Sequence, residues 1–143
     1  MVADMVKRIP LWGLASLAIL LANSTACGPG VSAFQGTWKG KRDRPMQPNE
    51  SPYVAETLRK VELIVKGNHF ELLDYGIPLS GRIQVSGESA TLRVDRAFDR
   101  PVDSKPTDDQ APSAKIQNGK LSFSNPSGED PTPVVLTRES QPN

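Results

Sequence analysis

Few residues of this chain have the types and the spacing that catalysis or metal binding requires. The 143 residues include one cysteine and one histidine, and no HExxH, CxxC, GxSxG or phosphate-loop pattern occurs. The histidine, His69, directly follows Gly67-Asn68, a turn pair, so we expect it to be solvent-exposed. The carboxylates of residues 95–100 and 107–110 lack the spacing of a calcium loop. The sequence therefore predicts no enzyme, no catalytic residue, no metal site and no cofactor.

The amino-terminal segment has the pattern of an export signal. Lys7 and Arg8 precede an uncharged apolar run, residues 9–22, and the small residues 23–27 follow it. A helix of 14 residues is ~21 Å long, short of the ~30 Å hydrocarbon core, which disfavours a membrane-spanning anchor. We predict that residues 1–26 are a signal peptide.

The lone cysteine stands at the end of this signal. An unpaired cysteine in an exported protein needs an explanation, because it can neither pair within the chain nor stay safely reduced. Residues 24–27, Ser-Thr-Ala-Cys, resemble the lipobox of bacterial lipoproteins. The resemblance implies that Cys27 is acylated and becomes the first mature residue, with membrane lipid as its partner. The alternative is ordinary cleavage after Ala26, which leaves a free thiol.

The same resemblance implies a location. In bacterial lipoproteins a residue other than Asp after the cysteine, here Gly28, goes with sorting to the outer membrane. We therefore expect an exported, lipid-anchored protein of the bacterial cell envelope, on the periplasmic face of the outer membrane in a Gram-negative host. Residues 27–33 are predicted to comprise the lipidated cysteine and a flexible spacer.

The charges of the mature chain balance. Lys7, Arg8 and Asp4 lie before Cys27, so 15 basic and 15 acidic residues remain. A net charge of about zero excludes a basic excess that would attract nucleic acid or an anionic lipid surface. We expect a monomer that does not bind nucleic acid.

Residues 34–138 alternate apolar and polar side chains with the period of two that half-buried strands show. Short turns at Gly67-Asn68, Gly87-Glu88 and Asn118-Gly119 predict three hairpins. Their predicted cross-strand pairs are Val65 with Phe70, Leu63 with Leu72, Ile83 with Leu92, Val85 with Ala90, Ile116 with Leu121, and Ala114 with Phe123.

With residues 34–41 first and 133–138 last, the pattern predicts eight strands and no convincing amphipathic helix. Residues 53–61 fit a short helical turn, but we interpret their second half as strand. Residues 42–55 and 97–113, and the shorter 124–132, are rich in Pro, Asp and Ser and are expected to be mobile loops. Residues 139–143 are expected to be a flexible tail.

Eight sequential strands with one apolar face each can close as an up-and-down barrel or pack as a two-sheet sandwich. Short hairpins favour the barrel, because sandwiches need longer crossings. The predicted fold class is therefore all-β: an eight-stranded antiparallel up-and-down barrel formed by residues 34–138, with the two-sheet β-sandwich as the alternative.

Gly36 and Trp38 on the first strand and Arg138 on the last resemble the lipocalin and fatty-acid-binding superfamily. In that superfamily a Gly-x-Trp motif packs at one barrel end and an Arg of the last strand lies across the indole. The resemblance implies a lipocalin-like barrel closed by these three residues, with Gly36 leaving room for the backbone. The alternative is an ordinary core Trp and a surface Arg.

Two functional hypotheses follow. In the first, Tyr53, Tyr75 and Phe98 line a barrel mouth that takes a small apolar ligand; this predicts an internal cavity. In the second, the interior is filled by side chains, as eight-stranded barrels allow, and the protein interacts with an envelope protein through its loops.

Overall fold

The computed structural model of the chain describes residues 30–103 and 107–140. They form a 3-10 helix (Val31–Phe34), one α-helix, α1 (Pro52–Arg59), and nine strands. The strands are β1 (Gly36–Lys41), β2 (Lys60–Lys66), β3 (His69–Asp74), β4 (Ile77–Ser86), β5 (Ser89–Ala97), β6 (Arg100–Pro101), β7 (Ser113–Gln117), β8 (Lys120–Ser124) and β9 (Val134–Arg138).

Eight of these strands close into an antiparallel barrel. Each strand pairs with the next along the chain, β5 pairs with β7, and β9 returns to pair with β1. The two-residue strand β6 only extends the edge of β5. One continuous sheet thus closes on itself, which confirms the predicted barrel and rules out the two-sheet alternative.

The predicted hairpin registers are confirmed. All six expected cross-strand pairs are present, from Val65 opposite Phe70 to Ala114 opposite Phe123. At the third hairpin, Asn118 and Gly119 both have positive φ, 51° and 74°, as a type I′ turn demands. Each register follows from local chemistry, because the turn and the alternation of side chains agree.

The two ends of the barrel differ. The tight turns at 67–68, 87–88 and 118–119 lie at one end, where the chain also enters β1 and leaves β9. We call this the turn end. The connections 42–59, including α1, and 125–133 lie at the opposite end, the loop end, where β5 also ends. The short turn Tyr75-Gly76, which connects β3 to β4, is also at the loop end. Residues 107–112 instead lie along the side wall, where the Leu92 N–H donates to the Pro112 carbonyl at 2.8 Å and Asp108 contacts Arg93.

The interior is filled by apolar side chains from every strand of the ring. Sixteen buried residues form one cluster: Phe34, Trp38, Val61, Leu63, Val65, Phe70, Leu72, Ile83, Ala90, Leu92, Val94, Ala114, Leu121, Phe123, Val134 and Leu136. Phe34, which precedes β1, is completely buried. Burial at ~25 cal/mol per Å2 of apolar surface makes this cluster the main source of stability.

The expectation of no convincing amphipathic helix, with at most a short helical turn at residues 53–61, understates α1, which spans Pro52–Arg59. Ser51 caps the helix, its side chain accepting a hydrogen bond from the Val54 N–H at 3.2 Å, and Pro52 occupies the first turn. Ala55 is the buried residue of α1, so only one narrow stripe packs inward. A stripe this narrow gives the sequence little helical periodicity. The capping residue Ser51 and the proline after it, Pro52, are therefore the better signals of this helix.

Three further boundaries differ from the sequence-based prediction. Residues 31–33, expected to be part of a flexible spacer, form most of the 3-10 helix, and the first strand begins at Gly36. Strand β6 lies within a predicted loop. Glu139, the first residue of the expected tail, donates its N–H to the Thr37 carbonyl at 2.8 Å.

Candidate functional site

At the turn end, Trp38 is the central residue of the closure. Its side chain points into the barrel from β1 and is 1% exposed. The indole Nε1 donates to the Phe34 carbonyl at 2.8 Å, so the 3-10 helix is fastened to the barrel core. A buried indole N–H requires such a partner.

The structure brings Arg138 against this indole. Trp38 and Arg138 are direct cross-strand partners on β1 and β9, the two strands that close the ring. The guanidinium carbon lies 4.5 Å from the ring centroid, within the range of a cation–π contact. Arg138 also donates to the Ala33 carbonyl. One side chain therefore joins the last strand, the first strand and the segment that precedes it.

Glycine is needed at position 36 for its backbone conformation and not to leave room for neighbouring atoms. Its φ is +109°, which L side chains rarely adopt, whereas an added Cβ would meet only Arg138 side-chain atoms at 3.9 and 4.0 Å. The expectation that Gly36 leaves room for the barrel end therefore needs correction: glycine is required because of the turn into β1.

At the loop end, a buried ion pair occupies the barrel interior. Arg42 Nε and Nη2 donate to the two Asp74 carboxylate oxygens at 3.0 and 3.2 Å, and both residues are 3% exposed. Asn125 Nδ2 donates to Asp74 at 3.1 Å, and Arg42 Nη1 donates to the Thr132 carbonyl at 3.0 Å. These hydrogen bonds stabilise the buried charges of Arg42 and Asp74, because either charge would be costly to bury alone.

Sequence reasoning missed this cluster, although a signal existed. Phe70, Leu72 and Asp74 share the inward face of β3, so the period of two places a carboxylate inside the barrel. The same alternation continues past the end of β1 to Arg42. An acid and a base that reach the inner face at the same end are expected to pair, because neither can be buried alone.

The three aromatic residues predicted to line a mouth all lie at the loop end but have different surroundings. The Tyr75 ring packs against the Arg42 guanidinium, whose central carbon is 5.4 Å from the ring centroid. Tyr53 on α1 is 81% exposed and Phe98, after β5, is 59% exposed. The Phe98 N–H donates to the Pro78 carbonyl at 3.0 Å, which fixes its turn beside β4. Two of the three therefore face solvent.

The connection before α1 is cross-linked by charge. Arg44 Nη1 and Nη2 each donate to one carboxylate oxygen of Glu50 at 2.9 Å, and Arg59 Nε donates to the Arg44 carbonyl at 2.7 Å. The hydrogen bond from Arg44, followed by that from the Gln47 N–H, holds the pKa of Glu50 below its ordinary value. The segment is thus tied to α1 at several points.

Asp130 lies beside the buried pair. Its pKa is lowered, first by hydrogen bonds to Thr132 and to a lesser degree by Arg42, whose Nη1 is 3.7 Å away. The carboxylate therefore stays ionised next to the guanidinium and adds a second negative charge at this end.

Two clefts indent the outer wall of the barrel. One, of about 450 Å3, is lined by Arg82, Arg93, Asn68 and Gln84 among others. The second, of about 350 Å3, lies over β2–β4, with Ile64 in its lining. Both are open surface features, in contrast to the packed interior.

Other predicted features have these positions. His69 begins β3 and is exposed. Among residues 30–103 and 107–140, no three His, Cys, Asp or Glu side chains group as metal ligands. Within the same ranges, no helix has the length and hydropathy needed to span a bilayer. Cys27 and the predicted signal peptide lie outside the described residues.

Comparison of this chain with protein-family models, with curated proteins and with solved structures finds no significant match.

Proposed function

We propose that this chain is a lipid-anchored protein of the bacterial cell envelope that acts by binding another envelope protein through its loop end. The carrying observation is the polarity of the barrel: the chain enters at the turn end, and the connection that holds α1 and the connection 125–133 lie at the other end. An anchor at Cys27 would hold the turn end toward the membrane and present the loop end to the periplasm.

The loop end has the side chains that protein interfaces use. Tyr53, Val54, Ile77 and Phe98 are exposed apolar residues on α1 and the adjacent turns. Exposed aromatic residues surrounded by polar ones are typical of interface centres. The charged residues at this end have both signs and include Asp99, Asp103, Glu129 and Asp130 with Arg96 and Arg100. This composition fits a protein partner with an apolar centre and a polar rim.

The interior supports this function over a ligand carrier. Sixteen buried residues fill the barrel, and the Arg42–Asp74 pair occupies its loop end. An apolar ligand entering there would have to displace a charged, fully hydrogen-bonded pair, which is unfavourable. We keep the lipocalin-like relationship as a proposal that rests on Gly36, Trp38 and Arg138.

Site-specific photo-crosslinking in cells tests the proposed interface. A photoreactive aromatic residue at position 53 or 98 is expected to give one adduct of the same mass from both sites. The control is position 135, on the side wall of β9, where Val135 is 58% exposed. Equal adducts from position 135, or none from 53 and 98, would contradict the assignment of the loop end.

Two measurements on the same preparation test the anchor and the ligand alternative. Radiolabelled palmitate should enter the chain and be lost in Cys27→Ser. Native mass spectrometry should find the mature protein without a bound small molecule. A stoichiometric copurified lipid held by the barrel would instead support the carrier hypothesis.

A further inference from the structure

A row of four basic side chains crosses the outer wall near the turn end. Lys66 on β2 is the cross-strand partner of His69, His69 is the partner of Arg82, and Arg82 is the partner of Arg93 on β5. We call these four residues the basic belt. With strands ~4.8 Å apart, the belt is roughly 14 Å long.

This arrangement works against folding. Like charges directly opposite one another on neighbouring strands are destabilising, and Arg82 and Arg93 are such a pair. Asp95 lies 3.5 Å from Arg82 and Asp108 contacts Arg93, but these ion pairs are largely exposed. Such pairs contribute little, and they can exchange for another anion. Within the described residues Lys66 forms no ion pair.

The belt borders the larger of the two clefts. Arg82 and Arg93 line it together with the amide side chains of Asn68 and Gln84 and the carboxylate of Asp95, in a volume of about 450 Å3. Gln84 Oε1 accepts a hydrogen bond from Arg93 Nε at 3.1 Å and Asp108 contacts Arg93 Nη2, which leaves Nη1 of Arg93 for another acceptor. Guanidinium groups with adjacent amide donors suit the oxygens of a phosphate diester.

The position of the belt identifies the source of the phosphate. Gln35, two residues after Ala33, donates to the Gly67 carbonyl at 2.8 Å and accepts from the Gly67 N–H at 2.7 Å. The segment that leads from Cys27 is therefore fastened directly beside Lys66. Glu129 and Asp130 lie at the far end of the barrel, so an anionic surface would attract Lys66 and repel that end, while Asp108 beside Arg93 would have to be displaced.

We propose that the basic belt binds the phosphate groups of anionic phospholipids at the surface of the membrane that holds Cys27. The inference rests on the proposed lipid anchor. It also explains how a chain whose net charge is near zero can engage an anionic surface: four basic side chains are neighbours on one wall. The contact would fix the orientation of the barrel, so that the loop end points away from the bilayer.

Lysine footprinting on the mature full chain, reconstituted in vesicles, tests this proposal. Lys60 and Lys66 lie at opposite ends of the same strand and are both exposed, so Lys60 is an internal reference. Acetylation of Lys66 should be slower by about fivefold in vesicles of phosphatidylcholine with one-third phosphatidylglycerol than in phosphatidylcholine alone, because each cation at an anionic surface contributes about that factor. The Lys60 rate should not change.

Variants and competing anions sharpen the test. Arg82→Gln/Arg93→Gln should restore the Lys66 rate, whereas Arg96→Gln/Arg100→Gln, which removes the same charge at the loop end, should not. High salt should also restore it. Equal Lys66 rates in the two vesicle types would overturn the proposal. So would equal protection by inorganic phosphate in phosphatidylcholine vesicles, which would identify a site for a free anion.

The lipid anchor is tested by a separate measurement. Palmitate incorporation at Cys27, measured on the same protein, reports the proposed function, while Lys66 protection reports the belt. Lipidated protein in which Lys66 is not protected from acetylation would contradict the belt proposal but not the lipid anchor. Protein that carries no lipid at Cys27 would contradict the proposed anchor. It would also contradict the proposal that the belt orients the barrel, because that proposal rests on the anchor.

Discussion

Arg138 lies across the face of Trp38, with its guanidinium carbon 4.5 Å from the ring centroid, at the point where the last strand pairs with the first. The indole is buried and fastened to Phe34, whereas the arginine is exposed on its outer side. The contact therefore joins a core residue to a surface cation at the closing seam of the barrel.

Replacing Trp38 with Ala should destabilise the fold strongly. The substitution removes a fully buried side chain and its hydrogen bond to Phe34, at a cost of about 3–5 kcal/mol. Urea unfolding measures the loss. Tyr53→Ala removes an aromatic residue that is 81% exposed and should cost no more than about 0.5 kcal/mol. Similar losses in the two variants would refute the central role of Trp38.

Replacing Arg138 should have a smaller effect that depends on Trp38. Arg138→Ala is expected to cost about 0.5–1 kcal/mol, the range for an exposed cation–π contact. In Trp38→Leu the same change should cost less, because the ring is absent. A double-mutant cycle measures this coupling, and strictly additive free energies would contradict the stacking contact.

Breaking the buried pair at the loop end should cost more than removing it entirely. Asp74→Ala leaves the Arg42 guanidinium buried without a carboxylate and should cost about 3–5 kcal/mol. Arg42→Met/Asp74→Leu should cost less than the sum of the two single changes. The exposed Arg82–Asp95 pair is the control, and Asp95→Ala should cost less than about 1 kcal/mol. An additive double variant would show that the pair is not coupled.

Acid should loosen the connection before α1. Because the folded-state pKa of Glu50 lies below its ordinary value of 4.5, the contact stabilises the protein above that pH and is lost as the pH falls through the folded-state pKa. Urea midpoints between about pH 6 and about pH 3 should therefore fall less steeply in Glu50→Gln than in the wild type. Arg44→Gln should have the same effect. Identical slopes in all three proteins would exclude this contribution.

Gly81 should not accept even a methyl group. A Cβ there would overlap the Arg93 carbonyl oxygen and lie 2.9 Å from the Asp95 nitrogen, at the register shift between β4 and β5. Since backbone atoms must move, Gly81→Ala should cost about 1–3 kcal/mol. Gly30→Ala is the control, because no atom lies within 4 Å of that position. Thermal unfolding of the two variants would show the difference, and equal midpoints would argue against the clash.

The parts of the fold that could be predicted from the sequence are those set by near neighbours. The pairs Val65–Phe70 and Ile116–Leu121 follow from a short turn and the alternation on either side of it. The extent of helix α1 was not predicted because Ala55 is its buried residue, so the sequence shows little helical periodicity there. The inward position of Asp74 was also readable, but its partner lies on another part of the chain.

The sequence by itself determined the eight main strands and the registers of the three hairpins with turns at 67–68, 87–88 and 118–119, since these depend on interactions between residues a few positions apart. Only the tertiary structure decided between barrel and sandwich, paired Arg42 with Asp74, and set His69 beside Arg82, which joins the two basic hairpin pairs into one row. Composition could not reveal that alignment, because a net charge sums over positions while a surface potential depends on which strands become neighbours. The pairing of β3 with β4 makes His69 and Arg82 neighbours, and closure of the ring makes Trp38 and Arg138 neighbours.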